Sequence, residues 1–369
     1  MYQLLAITVI GSALWLLARN TMTNMEARGI QSGFDFLTQA AGFDIGETPI
    51  PYDSGQGYWR AFLVGLANTL RVAVVGIFLT TILGTLLGVG RFSRNALVRG
   101  ICTAYVELFR NIPVLLQLFL WYILLTEFLP DSWEPMQAGS FFLSKGGLSF
   151  PAPIWAFGHL TGLLGIVLGC VVAAAYRRRN QRHFEATGEL RGSLWVVIVL
   201  VLGGGALGWL LGGAPASFDV PVKVDFAIEH GAAVTPEFLT VLLGLTMYTA
   251  AFVAEVVRAG ISSVSAGQSE AASALGLSKG QTMRLVMLPQ ALRVIIPPLT
   301  NQYLNLTKNS SLAVAVGYPD IVSVTNTALN QTGRAVECIA IVMAIYLTTS
   351  LATSLLMNWY NTRSAIKER

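Results

Sequence analysis

Three ionisable residues lie inside long apolar stretches of this sequence: Arg71, Glu255 and Lys308. A charge within a membrane-spanning helix costs about 2.5–3.5 kcal/mol on insertion scales, so each one needs a partner or a function. The ammonium of Lys308 suits a carboxylate, and the carboxylate of Glu255 suits an ammonium. A solute that carries both charges needs one of each along its path. We therefore predict that Lys308 and Glu255 line a path for a zwitterion.

Lys308 has polar neighbours on both sides, which strengthens its assignment to the path: Thr307, Asn309, Ser310 and Ser311. We expect Asn309 to share the path. Three amides in other apolar surroundings are weaker candidates: Asn68, Gln117 and Asn305. The pair Pro297-Pro298 precedes Lys308 by about three helical turns. It predicts a break or bend that frees backbone groups near the lysine.

Each of these charges also has a structural interpretation. Glu255 can pair with Arg258, one helical turn further along the chain. Arg71 can extend its guanidinium to the membrane surface, or pair with a carboxylate elsewhere in the bundle. Lys308 can bond to neighbouring backbone carbonyls instead of a solute. The sequence alone leaves these alternatives open.

The sequence carries no signature of an enzyme or a metal centre. It has no Gly-Lys dipeptide, and hence no phosphate-binding loop of the G-x-x-x-x-G-K-[ST] kind. Its cysteines are Cys102, Cys170 and Cys338, and no two have the CxxC spacing of a metal or redox site. We expect no catalytic residue, no metal and no cofactor in this chain.

The composition is typical of a membrane protein with several spans. Apolar residues make up 54% of the 369 residues, charged residues only 12%, and the mean hydropathy is +0.60. The net charge of +4 gives no indication of nucleic-acid binding. We predict an all-α polytopic bundle of about eight spans, because a helix satisfies its own backbone in lipid. The predicted spans are 1–18, 60–90, 101–128, 153–176, 193–212, 238–258, 291–316 and 337–360.

The positive charges are distributed unevenly between the connecting segments. Of the 24 Lys and Arg residues, six fall on one side of the membrane, two fall within spans, and the rest fall on the other side. Since cytoplasmic segments carry the excess of positive charge, the richer side is predicted to be cytoplasmic, with both termini there. The first span has the reverse local pattern, because its basic residue follows it. The poorer side holds Arg19, Arg28, Arg60, Lys145, Lys223 and Arg334.

Residues 265–289 lie between two apolar stretches and are predicted to form two short helices on the cytoplasmic side. Two pairs have the spacing of helix-capping boxes: Ser265 with Gln268, and Ser278 with Gln281. Gly276 suits the left-handed position that ends a helix. Pro289 is predicted to end the second helix. The small residues Ala271 and Ala272 allow the first helix to approach a partner closely.

Glu270-Ala271-Ala272, followed by Gly276 and the pair Leu288-Pro289, resembles the EAA loop of permease subunits in bacterial ABC importers. The resemblance continues on both sides of this loop, in Tyr248–Ile261 and Thr307–Ile321. Two motifs further upstream, Asn68–Val72 and Tyr105–Phe119, resemble in particular permeases for polar amino acids, of the histidine, glutamate, glutamine and arginine type. The resemblance covers roughly residues 58–128 and 238–360.

The resemblance implies a permease subunit, with a five-helix type I importer core, that translocates L-amino acids across the bacterial inner membrane. It implies a cytoplasmic coupling loop at 262–290 that docks on a separate ATPase, where ATP is bound. The coupling residues are Glu270, Ala271, Ala272, Gly276, Leu288 and Pro289. The implied partners are two copies of the ATPase, a second permease subunit, a periplasmic amino-acid-binding protein and the lipid bilayer.

The core of the family does not account for the whole chain. The longer permeases of general L-amino-acid importers carry extra helices, and this sequence resembles them in that respect. We divide the chain into four parts on this basis. They are 1–57 (an N-terminal span and periplasmic loop), 58–128 (first part of the core), 129–237 (an inserted block with two spans) and 238–369 (second part of the core).

A secondary amino-acid transporter, driven by an ion gradient, is the alternative interpretation. Such transporters have inverted repeats with Gly- or Pro-broken helices in matching positions of both halves. Pro297-Pro298 interrupts a span in the second half, but the first half offers no matching interruption. The sequence therefore favours the ABC permease.

Overall fold

The computed structural model describes residues 2–27, 29, 32–187, 193–225 and 227–364, and these are mostly helical. Arg28, used above for the charge distribution, lies outside the described residues. Twelve α-helices lie within the described ranges: α1 (Tyr2–Ala27), α2 (Tyr58–Gly90), α3 (Ala96–Asn111), α4 (Val114–Glu127), α5 (Phe157–Thr187), α6 (Leu194–Leu211), α7 (Pro236–Ser262), α8 (Ala266–Ala274), α9 (Lys279–Thr282), α10 (Leu288–Asn309), α11 (Ile321–Thr332) and α12 (Ala335–Ser364).

The predicted all-α membrane bundle is confirmed, although not every span is a single straight helix. Within the described residues, α1, α2, α5, α7 and α12 are each long and apolar enough to cross a membrane. Two further spans consist of helices that meet at a bend: α3 with α4, and the stretch 279–316 with α11. The apolar helix α6 is shorter than these. The described chain therefore has five to seven candidate spans beside α6.

The third predicted span is bent, because α3 and α4 meet at 107°. Pro113 disfavours helical backbone at the residue before it, and Ile112 is extended. The side-chain amide of Gln117 donates to the carbonyls of Phe109 and Ile112, at 3.0 and 2.8 Å. These bonds satisfy carbonyl groups that the end of α3 leaves without helical partners. The bend is thus built into the fold.

The seventh predicted span is continuous at the position where a break was predicted. Helix α10 runs without interruption through Pro297 and Pro298, so the predicted break there is wrong. The φ of proline, near −65°, is itself compatible with a helix. The interruption comes later, after the 3₁₀ turn Ser310–Val316, at Gly317 with its left-handed φ of +80°. The stretch 279–316 and α11 are bent by 53° across it.

Met1–Leu129 and Val234–Arg369 form one compact unit, centred on the contact between α2 and α7. Gly84 and Gly88 allow the two helices to approach closely there. A Cβ atom added at Gly84 would lie 2.6 Å from the side chain of Val253, and one at Gly88 would lie 2.7 Å from the carbonyl of Ala254. Helices α4 and α10 also pack on α7, and α11 packs on α2.

Pro130–Ala233 form a second compact unit, in which α5 and α6 pack closely against each other. Its connecting segments, predicted to be loops, contain short strands: β1 (Met136–Ala138), β2 (Phe141–Ser144), β3 (Gly147–Phe150), β4 (Ala152–Pro153), β5 (Phe218–Asp219), β6 (Val222–Val224), β7 (Ala227–Glu229) and β8 (Ala232–Val234). Strands β1, β2, β3 and β8 form one sheet in that order, β4 pairs with β5, and β6 pairs with β7.

Candidate coupling loop and solute path

The predicted coupling residues lie on α8, in the turn that follows it and at the start of α10. Glu270 and Ala271 are exposed on α8, whereas Ala272 is buried. Gly276 follows the helix with a φ of +77°, as predicted for its left-handed position, and an added Cβ would meet no atom of this chain within 4 Å. Leu275 beside it is 81% exposed. The loop therefore presents an apolar side chain and a short helix with small side chains to its surroundings.

One of the two predicted capping boxes is present. The hydroxyl of Ser278 accepts the backbone N–H of Gln281, and the side chain of Gln281 accepts the N–H of Ser278. The box at Ser265 is wrong, because its side chain makes no capping bond. Gln268, its predicted partner, instead accepts a hydrogen bond from the side chain of Gln290 at 3.2 Å. That bond holds the start of α8 near the start of α10.

Pro289 begins a helix rather than ending one. Helix α9 continues through a π-helical turn at Met283–Met287 directly into α10, whose first turn contains Leu288 and Pro289. Proline is tolerated there because the first N–H groups of a helix have no partner within it. The coupling loop is therefore connected to α10, the helix that carries Lys308, by nearly continuous helical backbone.

Glu255 lies among three arginines from α3, α7 and the end of α2. Its carboxylate is 2.5 Å from Arg91, 2.5 Å from Arg258 and 3.9 Å from Arg110. The predicted bond to Arg258 is thus present, as part of a larger cluster. Because both carboxylate oxygens already accept hydrogen bonds, neither is free for a solute ammonium in this conformation. The geometry supports Glu255 as a residue that joins three helices.

Lys308 and Asn309 lie at the end of α10. The side chain of Lys308 is exposed, and in the described part of the chain its ammonium has no hydrogen-bond or ion-pair partner. Asn309 lines a cavity of about 290 Å³ between α7 and α10. The other lining residues are Tyr248, Thr249, Phe252, Gln302 and Asn305. The structure thus places Asn309 and Asn305 together at one cavity, and Glu255 is not among the residues described as lining it.

Sequence reasoning missed two polar residues of this cavity, Thr249 and Gln302. Thr249 is only 2% exposed, and its hydroxyl has no hydrogen-bond partner among the described residues. Gln302, Asn305 and Asn309 are spaced i, i+3 and i+7, which places them on one face of a helix. This spacing was visible in the sequence and could have indicated a polar face on α10.

Asn68 and Gln117 are buried, and both bond to backbone. The amide of Asn68, whose side chain is fully buried, donates to the carbonyls of Glu47 and Pro319, at 2.8 and 2.9 Å. Gln117 stabilises the bend described above. These contacts support structural roles for both, and neither residue lines the cavity at α7 and α10.

Arg71 pairs with an acidic residue of the segment that precedes α2. Its guanidinium lies 2.7 Å from the carboxylate of Glu47 and 4.3 Å from the centroid of the Phe238 ring. The hydroxyl of Thr235 donates to the second oxygen of Glu47 at 3.0 Å. Burial raises the pKa of the Glu47 carboxyl, while Arg71 and Thr235 act in the opposite direction. The carboxylate partner expected for Arg71 is therefore supplied by residues 33–57, which we call the N-terminal segment.

A second set of contacts attaches the beginning of the same segment to the start of α12. Arg334, only 6% exposed, donates to the carbonyl of Gly33 at 2.8 Å and pairs with Asp35 at 3.0 Å. The N–H of Gly33 donates to Glu337 at 2.7 Å. Phe36 is buried against the first turns of α2. The N-terminal segment is thus packed on the core along its length.

Comparison with known proteins agrees with this architecture. Residues 192–365 match the family described as binding-protein-dependent transport system inner membrane component. The general L-amino acid transport system permease protein AapQ of Rhizobium johnstonii is 47% identical over 369 residues, which is 100% of this chain and 92% of that protein. This chain belongs to the family of ABC transporter permeases.

Two further relatives support the assignment of this permease. The putative amino-acid ABC transporter permease protein YhdX of Escherichia coli is 46% identical, over 100% of this chain and 94% of that protein. The glutamate/glutamine/aspartate/asparagine transport system permease protein BztB of Rhodobacter capsulatus is 42% identical, over 98% and 92%. The family contradicts the alternative of an ion-driven secondary transporter. A permease of this family is a multi-pass inner-membrane protein and a transport subunit rather than an enzyme.

Proposed function

We propose that this permease passes L-amino acids through the bacterial cytoplasmic membrane as one subunit of an ABC importer. Its partners would be two copies of an ATPase, a second permease subunit and a periplasmic amino-acid-binding protein. The observation that carries the proposal is the exposed helix α8, ended by a left-handed Gly276 and joined to α10 by helical backbone. The amino-acid transport functions in the names of the relatives agree with it.

Coupling in this proposal is mechanical. The ATPase would bind ATP and hold α8 in a surface cleft, as a short helix can lie in a groove on a partner. Movement of α8 would pass through α9 and the π-helical turn to α10, which lines the solute cavity. Both termini and the coupling loop would share the cytoplasmic side, because the connecting segments on their side of the membrane carry most of the basic residues. In this arrangement 129–237 is a block inserted into the core.

The solute path is proposed to pass the cavity between α7 and α10. Its amide groups offer both donors and acceptors, so they can bond the carboxylate and the ammonium of an amino acid. No Asp, Glu, Lys or Arg is among the residues described as lining it. Lys308 adjoins Asn309 and would supply a positive charge near the path. A site of this kind tolerates solutes whose side chains differ in charge.

Purification in mild detergent tests the assembly. We expect the tagged permease to retain an ATPase subunit, and we expect Ala271→Trp, on exposed α8, to lose it. Gln181→Trp, at the exposed end of α5, introduces the same bulk elsewhere and should keep the ATPase. If both variants keep the ATPase, α8 is not the docking element.

Two threonines of α7 test the path. Thr240 and Thr249 are both buried, and the hydroxyls of both have no hydrogen-bond partner among the described residues. Only Thr249 lines the cavity. Thr249→Val should therefore raise the solute concentration needed for half-maximal uptake, whereas Thr240→Val should leave it unchanged. Equal effects of the two changes would sink the proposed path.

A further inference from the structure

Four arginines follow the apolar part of α5: Arg177, Arg178, Arg179 and Arg182. All four are exposed, and in the ranges that the structure describes none has an ion-pair partner. The acidic residue nearest to them on the helix, Glu185, accepts a hydrogen bond from Gln181 at 3.4 Å. We name these four residues the arginine cluster. In the described part of the chain it is a positive surface without a paired counter-charge.

The neighbouring helix α6 shows the depth at which this cluster lies. Gly169 of α5 is opposite Leu200 and Val201, and Gly158 is opposite Gly212, so the two helices are antiparallel. The 18 residues of α6 span about 27 Å, close to the thickness of the hydrocarbon layer. Extending the same register places the first turn of α6 beside residues 174–176. The arginine cluster therefore begins within about one turn of the hydrocarbon edge.

Trp195, in the first turn of α6, supports this depth. It is 74% exposed. Exposed tryptophans are enriched where the hydrocarbon meets the headgroups of the lipids. The arginines that come next along the membrane normal then lie at the level of the phosphates.

The direction of the cluster points to lipid rather than to α6. At 100° per residue, Arg178 and Arg182 fall on the side of α5 away from its glycine contacts with α6, and Arg177 and Arg179 fall on the two flanks. The same side carries exposed apolar residues along the preceding turns: Leu160, Leu163, Leu164, Val167, Leu168 and Val171. An apolar face that continues into unpaired arginines matches a bilayer, with acyl chains followed by anionic headgroups.

We propose that the arginine cluster binds anionic phospholipid headgroups at the inner surface of the membrane. The inference rests on the proposed membrane function, because the orientation of α5 comes from it. The guanidinium groups bind phosphate with two parallel hydrogen bonds where geometry allows. The inserted block would thus fix the depth and lipid surroundings of this permease. Its ligand is a phospholipid of the phosphatidylglycerol class.

Quenching of Trp195 fluorescence tests this. The purified complex is placed in phosphatidylcholine bilayers that contain a minor fraction of brominated lipid, either phosphatidylglycerol or phosphatidylcholine. The contribution of Trp195 is the difference from Trp195→Phe. We expect brominated phosphatidylglycerol to quench it more than brominated phosphatidylcholine does. The difference should correspond to an enrichment of phosphatidylglycerol beside Trp195, relative to the bulk bilayer, of about fivefold or more. Raising the salt to about 0.5 M should reduce the enrichment.

Pairs of variants that lose the same amount of positive charge separate binding at the cluster from a general effect of net charge. Arg178→Gln with Arg182→Gln should abolish most of the enrichment, whereas lysine at both positions should retain much of it. Arg94→Gln with Arg99→Gln removes two exposed arginines elsewhere and should change it little. Equal loss in the control pair would overturn the proposal. If the glutamine variant does not insert, an absence of enrichment in the unmodified chain still overturns it.

Two further results would also overturn the proposal. Inorganic phosphate that lowers the enrichment more than chloride at equal ionic strength would indicate a free-anion site. Trp195 shielded from both brominated lipids would indicate a protein partner on this face. None of these outcomes depends on transport, so failure of the importer proposal would appear separately, as a purified chain without an ATPase.

Discussion

Arg71, in the first half of α2, is bound to Glu47 in the N-terminal segment, at 2.7 Å between guanidinium and carboxylate. The same carboxylate accepts the hydroxyl of Thr235, which caps the start of α7. One acidic side chain thus joins the N-terminal segment to the two central helices. The charge that the sequence showed inside an apolar stretch is neutralised by a residue 24 positions earlier.

Replacing Glu47 by Gln should loosen this junction. Arg71 would lose its partner while staying packed on Phe238, and a partly buried charge left unpaired costs about 1–3 kcal/mol. We expect a lower thermal unfolding midpoint of the purified permease and faster proteolysis within residues 33–57. Asp44→Asn is the matched control, because Asp44 is exposed in the same segment and has no ion pair in the described part of the chain. Equal unfolding midpoints for Glu47→Gln and the unmodified chain would contradict the role of the pair.

Local signals explain which parts of the site the sequence could predict. The Ser278 capping box and the left-handed Gly276 depend on residues within a few positions of each other, and both are present. The box at Ser265 fails because Gln268 bonds to Gln290, 22 positions away. The amide of Asn68 likewise bonds to Pro319, 251 positions away. Such contacts follow from the packing of the spans, which hydrophobic pattern alone does not determine.

The turn at Gly276 offers a test of what the coupling loop requires. Gly276→Val should impair uptake and ATPase retention, because a β-branched residue at a φ of +77° is strained by roughly 1–2 kcal/mol. Asn adopts this conformation more readily, so Gly276→Asn should keep most of both. This chain leaves open space at the position, so steric contact within it is not the cause. Loss in both variants would show that a partner, rather than the backbone, needs the glycine.

Replacing Glu255 tests whether its charge stabilises the fold or binds the solute. Glu255→Gln leaves Arg91, Arg110 and Arg258 without their shared anion, which should lower the amount of folded permease in the membrane. A loss of about 1–3 kcal/mol in stability is expected from the unpaired charges. Glu107→Gln makes the same change of charge at an exposed position of α3 and should have little effect. Normal amounts of folded Glu255→Gln with abolished uptake would instead assign the residue to the solute.

Lys308 gives the converse expectation, because its ammonium has no partner in the described part of the chain. Lys308→Met keeps the apolar stem and leaves no buried group unpaired, so the complex should assemble normally. If the ammonium meets the carboxylate of a passing amino acid, uptake should fall by about tenfold or more, as expected for a lost hydrogen bond to a charged group. Lys308→Arg retains the positive charge and should keep a measurable part of the uptake. Hydrolysis of ATP stimulated by the loaded binding protein, measured beside uptake, shows whether coupling also weakens. Full transport by an assembled Lys308→Met complex would remove this lysine from the path, and a loss of assembly would return it to a structural role.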